Sequence, residues 1–153
     1  MAREAALARS PNRLAALIAG AAFLAIGALG FAASGGSGFV STTGGLLFGV
    51  LPVNGLQNLV HLLLGGALVT AALVFRASAR TTNQVIGTLF LALGIAGLFL
   101  AGTPANVLAV GAVGNLLHFS AAVVLLAVGL GVEGRPSDEV GPARATPSRP
   151  GSG

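Results

Sequence analysis

Apolar residues fill this chain in long blocks that charge interrupts at few places. No Asp, Glu, Lys or Arg occurs from Leu14 to Phe75, or from Thr81 to Val132. Four runs inside these stretches are long enough to matter: Leu14–Ala33, Leu56–Phe75, Val85–Ala101 and Val113–Val132. The first holds eight Leu, Ile or Phe, nine Ala and three Gly. Twenty helical residues rise about 30 Å, the thickness of a bilayer's hydrocarbon core. Eight strongly apolar side chains favour insertion by roughly 2.5–5 kcal/mol, with no charge opposing them. Each run must be a helix, because a lone strand leaves its backbone groups unsatisfied in lipid. The pattern predicts an all-α membrane protein with four transmembrane helices.

The segments between the runs differ in kind. Ser34-Gly35-Gly36-Ser37-Gly38 reads as flexible, whereas Leu46-Leu47-Phe48-Gly49-Val50-Leu51 is apolar and too short to span. That second piece is expected at the membrane interface or folded back on the bundle. Residues 133–153 contain four Pro, scattered charge and almost no apolar residue, so a disordered tail is expected there. Residues 1–13 are read as a short segment preceding the membrane domain of residues 14–132. Arg3, Arg9 and Arg13 ahead of an apolar run resemble a signal peptide. The run of about eighteen residues exceeds the roughly 7–15 of a signal core, so it reads as an anchor.

The runs repeat. Asn58-Leu59-Val60-His61 returns as Asn115-Leu116-Leu117-His118, and Gly20, Phe23, Gly27 and Gly30 match Gly87, Phe90, Gly94 and Gly97. The predicted arrangement is two tandem helical hairpins forming a parallel internal repeat, with a pseudo-two-fold axis along the membrane normal. Gly20, Gly27 and Gly30 share one helical face, where missing side chains let backbones approach.

Composition agrees with the pattern. Charged residues are 8% of the chain, against about 25% in soluble domains, too few to clothe a water-exposed surface. All eight basic residues are Arg, and they give a net charge of +4. They lie at segment ends without interleaved aromatics, so nucleic acid is not an expected partner. Arg3, Arg9 and Arg13 precede the first run, Arg76 and Arg80 separate the second from the third, and Arg135, Arg144 and Arg149 follow the fourth. The other two loops have none. By the positive-inside rule both termini are expected in the cytoplasm, in an inner (plasma) membrane protein. Cys is absent, which excludes disulfides and thiol chemistry.

Polar residues inside a membrane need a reason. Asn54, Asn58 and His61 share a face near the start of the second run, beside Gln57, and Asn115 and His118 do so in the fourth. This intramembrane polar cluster admits three readings. Asn and His can hydrogen-bond across helices and fix their register. They can line a path or site for a proton, ion or small polar solute, since His titrates near neutral pH. Two His on different helices can also hold a haem iron or another transition metal. The first reading is preferred: a metal wants further strong ligands, and haem propionates want Arg on that side. No cofactor is expected.

Enzyme signatures are missing. Gly94-Ile95-Ala96-Gly97 lies inside an apolar helix with no strand before it, so it is no phosphate loop. Ser120 sits two residues from His118 on another helical face and has no acid partner.

The string Pro52-Val53-Asn54-Gly55-Leu56-Gln57-Asn58-Leu59-Val60-His61-Leu62-Leu63-Leu64-Gly65, with its Asn115-Leu116-Leu117-His118 echo, resembles domain-of-unknown-function family 4383. The resemblance implies a small four-helix integral membrane protein of a family found mainly in actinobacteria. The resemblance covers about residues 14–132 and implies the topology, without an activity. Gln57 stands where many relatives carry His, which argues against an essential third His. The expected role is non-enzymatic: a structural or interaction component embedded in the lipid bilayer, with a second copy or another membrane protein as partner through the Gly faces. The alternative is a small transporter, channel or sensor using the Asn/His cluster, or, further down, a bis-His haem or metal binder.

The Arg distribution yields a test. Periplasm-dependent reporters fused within Ser37–Thr43 or at Thr103 should be active, and those at Ala79 or after Val132 silent. An active reporter after Val132 would contradict four spans with both ends inside.

Overall fold

A computed structural model describes residues 10–74 and 78–131. The expectations for Arg3, Arg9, Arg76, the ends of the second and fourth runs at Phe75 and Val132, and the tail of residues 133–153 fall outside these residues. The elements in chain order are α1 (Pro11–Ser34), β1 (Gly45–Leu47), β2 (Leu51–Val53), α2 (Gly55–Val74), α3 (Ser78–Leu100) and α4 (Ala112–Leu130). All four helices are long and apolar enough to cross a membrane. The chain is a multi-pass membrane protein with the predicted all-α bundle, to which one small β-hairpin is added.

Two helices begin earlier than the charge pattern suggests, because each tolerates an Arg in its first turns. Ser10 caps α1, its hydroxyl accepting from Arg13 N, and Pro11 follows where a missing N–H costs nothing. Arg13 is buried, and its Nε donates to the Ala72 carbonyl at 2.6 Å. In α3, which starts seven residues before Val85, Arg80 Nε donates to the Gly129 carbonyl at 2.9 Å. Ala72 and Gly129 lie in the last turns of α2 and α4, whose final carbonyls have no partner within the helix. Each Arg therefore places its charge at the negative end of a neighbouring helix dipole, and Gln84 Nε2 adds a second bond to Gly129. Asn83 completes this end of the bundle, donating to the main-chain and side-chain oxygens of the buried Asn12.

Helix α1 packs chiefly on α2, and α3 on α4. Glycine makes the first contact close. A Cβ at Gly20 would lie 2.8 Å from the Gly65 carbonyl oxygen, and one at Gly65 would lie 2.8 Å from that of Gly20. Between the pairs sits a core of Ala16, Phe23, Leu68, Ala72, Ile86, Phe90, Ala122 and Leu125.

At the opposite end the segment from 34 to 55 folds back, one of the two outcomes expected for it. β1 and β2 pair antiparallel, with Gly45 opposite Val53 and Leu47 opposite Leu51. Leu47, Leu51 and Val53 pack on Ile26, Ala33 and Leu117, sealing this end of the bundle. The loop is the three residues Phe48, Gly49 and Val50; Val50 N donates to the Leu47 carbonyl, and the central pair of that turn, Phe48 and Gly49, has φ of 53° and 74°, both in the left-handed region. Gly adopts it freely, whereas Phe pays about 1–2 kcal/mol for the left-handed region.

Adjacent glycines test the packing. Gly65→Ala drives a methyl into the α1 backbone, while nothing lies within 4 Å of a Cβ at Gly66. Gly65→Ala should lower stability in detergent by about 1–3 kcal/mol, and Gly66→Ala should leave it unchanged or raise it by up to about 1 kcal/mol. Equal melting temperatures for the two would refute the close approach.

Candidate functional site

His61 and His118 each lie six residues into their helices, α2 and α4, about 9 Å along the axis. Their rings meet in the core with centroids 6.1 Å apart. Phe23 of α1 stacks on His61 at 5.3 Å, Phe90 of α3 stacks on His118 at 5.6 Å, and the two Phe rings stack on each other at 4.4 Å. The result is a closed group of four rings, one from each helix, with both His almost wholly buried. Nδ1 of each His is buried and has no hydrogen-bond partner. Aromatic stacking thus holds two imidazoles side by side and leaves one nitrogen of each unbonded. Each of these nitrogens can donate or accept a hydrogen bond according to its tautomer, and a neutral imidazole nitrogen can also take a proton or ligate a metal ion.

The rest of the predicted cluster divides by task. Asn58 Nδ2 donates to Ser34 Oγ at 2.9 Å, tying α2 to the last residue of α1. Its Oδ1 lies over the bare Cα of Gly30, where any Cβ would collide with it. Asn115 Oδ1 lies over Gly97 of α3 in the same way. Neither oxygen has a conventional hydrogen-bond donor; each faces the Cα of its glycine, the side from which close helices make weak Cα–H···O contacts. Asn58 therefore ties helix to helix, Asn115 lies against the facing helix at Gly97, and neither completes the His pair.

Asn54 is a different case, because α2 begins only at Gly55. It is the helix N-cap: its Oδ1 accepts from Gln57 N at 2.8 Å, and its Nδ2 donates to the carbonyls of Ser41 and Val107. The loop residue Asn106, which the sequence reading passed over, forms a matching clamp. Its amide pairs with both backbone groups of Val110 at 3.0 and 2.9 Å and reaches the Thr42 carbonyl. With its amide nitrogen facing the loops, Gln57 donates to Leu108 O and Pro52 O. Asn54, Gln57 and Asn106 thus bind the two loops of this end to each other. The sequence signal for Asn106 was an Asn in an otherwise apolar loop of small residues.

The family described as Domain of unknown function (DUF4383) matches residues 13–131. The chain belongs to the DUF4383 family. No curated protein and no solved structure matches it. The DUF4383 match takes in α1 from Arg13 onward, the other three helices, the hairpin and both loop clamps. It ends at Gly131, one residue past α4.

The Gly–Asn clamps give a double-mutant test. Gly30→Ala and Gly97→Ala should each destabilise by about 1–3 kcal/mol, since a buried side chain has to move. In the Asn58→Ala background much of the Gly30→Ala cost should vanish, because the colliding oxygen is gone. Strict additivity in thermal unfolding would show that Gly30 and Asn58 do not touch.

Proposed function

We propose that this DUF4383 protein is a non-enzymatic structural or interaction component of an inner (plasma) membrane, with both termini in the cytoplasm. The observation that carries the reading is how its polar side chains are used. Arg13, Arg80, Asn83, Asn58, Asn54 and Asn106 all donate to main-chain or side-chain oxygens of other helices or loops. Each holds the bundle together. The topology part of the proposal rests on the Arg distribution of the sequence. The Gly-lined helix faces are filled within the chain at Gly20, Gly27 and Gly30, so any partner meets other surfaces.

A second reading is favoured by one observation, the unbonded Nδ1 atoms of His61 and His118. On it, the pair binds a proton, a small polar solute or a metal ion, and the protein acts as a small transporter, channel or sensor. Two imidazoles alone make a weak metal site. His61, His118 and the neighbouring Asn amides supply no negative charge to offset a cation in a low-dielectric core.

Ring substitution separates the readings. His61→Ala and His118→Ala should each lower stability in detergent unfolding by about 1–3 kcal/mol, with coupling between them. His61→Phe and His118→Phe keep a ring in the stack but neither titrate nor ligate, so they should recover part of that loss, and growth of a strain dependent on the protein should recover with it. Stable Phe variants that fail to restore growth would overturn the structural reading in favour of the second.

A further inference from the structure

We propose that the β1–β2 hairpin is a membrane anchor, its outer face seated in the headgroup boundary of the leaflet on that side. The hairpin is apolar on both faces. Leu47, Leu51 and Val53 turn inward onto the bundle. Leu46, Phe48 and Val50 turn outward and are exposed, as are Phe39 and Val40 in the preceding loop, and Phe48 is 76% exposed at the tip. No charged residue occurs between Ser34 and Gly55 to suit this face to water.

Three further features make lipid the occupant. The first is position: the hairpin joins the end of α1 to the start of α2, at the level where two membrane-spanning helices leave the bilayer. Its outer face continues the apolar surface of the helices, where Phe31 and Leu29 of α1 and Phe99 and Leu98 of α3 are exposed near the same end. The second is the tip residue. Asn is favoured at the first central position of such a turn, yet Phe48 holds it with φ of 53°. A bulky aromatic kept in a strained conformation with its ring uncovered is explained by what the ring touches outside the chain. The third is composition: the chain has no Trp or Tyr, the residues that usually anchor helices at this level. Phe39 and Phe48 take that place.

The sheet also sets the depth. Its outer edges carry backbone groups that lack strand partners, and these are not tolerated in hydrocarbon. The backbone therefore stays among headgroups and water, while the side chains of Leu46, Phe48 and Val50 reach the acyl boundary.

Because Trp and Tyr are absent, a single substitution supplies a clean fluorescent probe. Phe48→Trp in the full chain, reconstituted into phosphatidylcholine vesicles, should emit well to the blue of Trp in water. It should be quenched by lipids brominated high on their acyl chains and resist aqueous acrylamide. Val50→Trp, on the same face with ordinary backbone, should behave alike and serves if the turn rejects Trp. In the Val50→Trp protein, Phe48→Asn should shift emission to the red and raise acrylamide quenching, since the turn is kept while the anchor is lost. Red emission open to acrylamide in both single variants would overturn the proposal, placing the hairpin in water. Shielding from acrylamide and brominated lipid alike would also overturn it, in favour of a second copy covering this face.

Discussion

Inside a bilayer an apolar surface gains nothing by meeting another apolar surface, because lipid is as apolar as Leu. Helices are held instead by close contact and by hydrogen bonds that lipid cannot replace. In this protein the two come together at glycine. Only where Gly30 brings the α1 backbone against α2 can Asn58 lay its oxygen on the α1 surface and send its nitrogen to Ser34. At Gly97 the α3 backbone comes equally close to the Asn115 oxygen of α4. Once each pair is fixed in register, Phe23 stands over His61 and Phe90 over His118, and the two pairs meet through stacked Phe rings.

The ends of the bundle answer a second demand, that the terminal carbonyls and amides of each helix find partners. At one end Arg13 and Arg80 reach across to the last turns of α2 and α4. The Arg13 guanidinium is buried and Arg80 is exposed, and the Nε of each bonds a carbonyl where the partner helix's dipole is negative. At the other end Asn side chains serve: Asn54 caps α2, and Asn106 stands in for a strand partner to Val110. Between these ends, the polar atoms that remain without a donor or acceptor include one nitrogen on each His.

The helices were legible because charge is so rare that its absence marks the spans and its presence marks their ends. The same logic misplaced the start of α3. Arg80 was read as a flank, and nothing in a charge pattern says that a guanidinium will fold onto Gly129. Yet Arg13 and Arg80 stand at the same offset in sequence as Gly30 and Gly97, a sign that they do equivalent work. The approach of His61 and His118 followed from reading Asn-x-x-His at equal depth in two helices. Asn54 has a separate task for a local reason: it precedes the helix whose spacing would align it with Asn58 and His61. The hairpin left almost no trace, since its strands are three residues long and its turn is Phe-Gly where Asn-Gly would have announced it.

The two unusual features of the molecule lie within a short distance along the fold. Leu51 and Val53 of the hairpin's inner face pack on Leu117, the residue before His118, and on Ile26, one turn from Phe23. The inner face of the hairpin therefore covers side chains that neighbour two of the four rings along α1 and α4. A hairpin lifted from the bundle would uncover Ile26 and Leu117 and expose the ends of α1 and α4 around the His pair. The apolar seal matters more to the imidazoles than to the aliphatic core, because an unbonded buried nitrogen binds water as soon as water can reach it. The burial of the His pair thus depends on the loop end as well as on the helices that carry it.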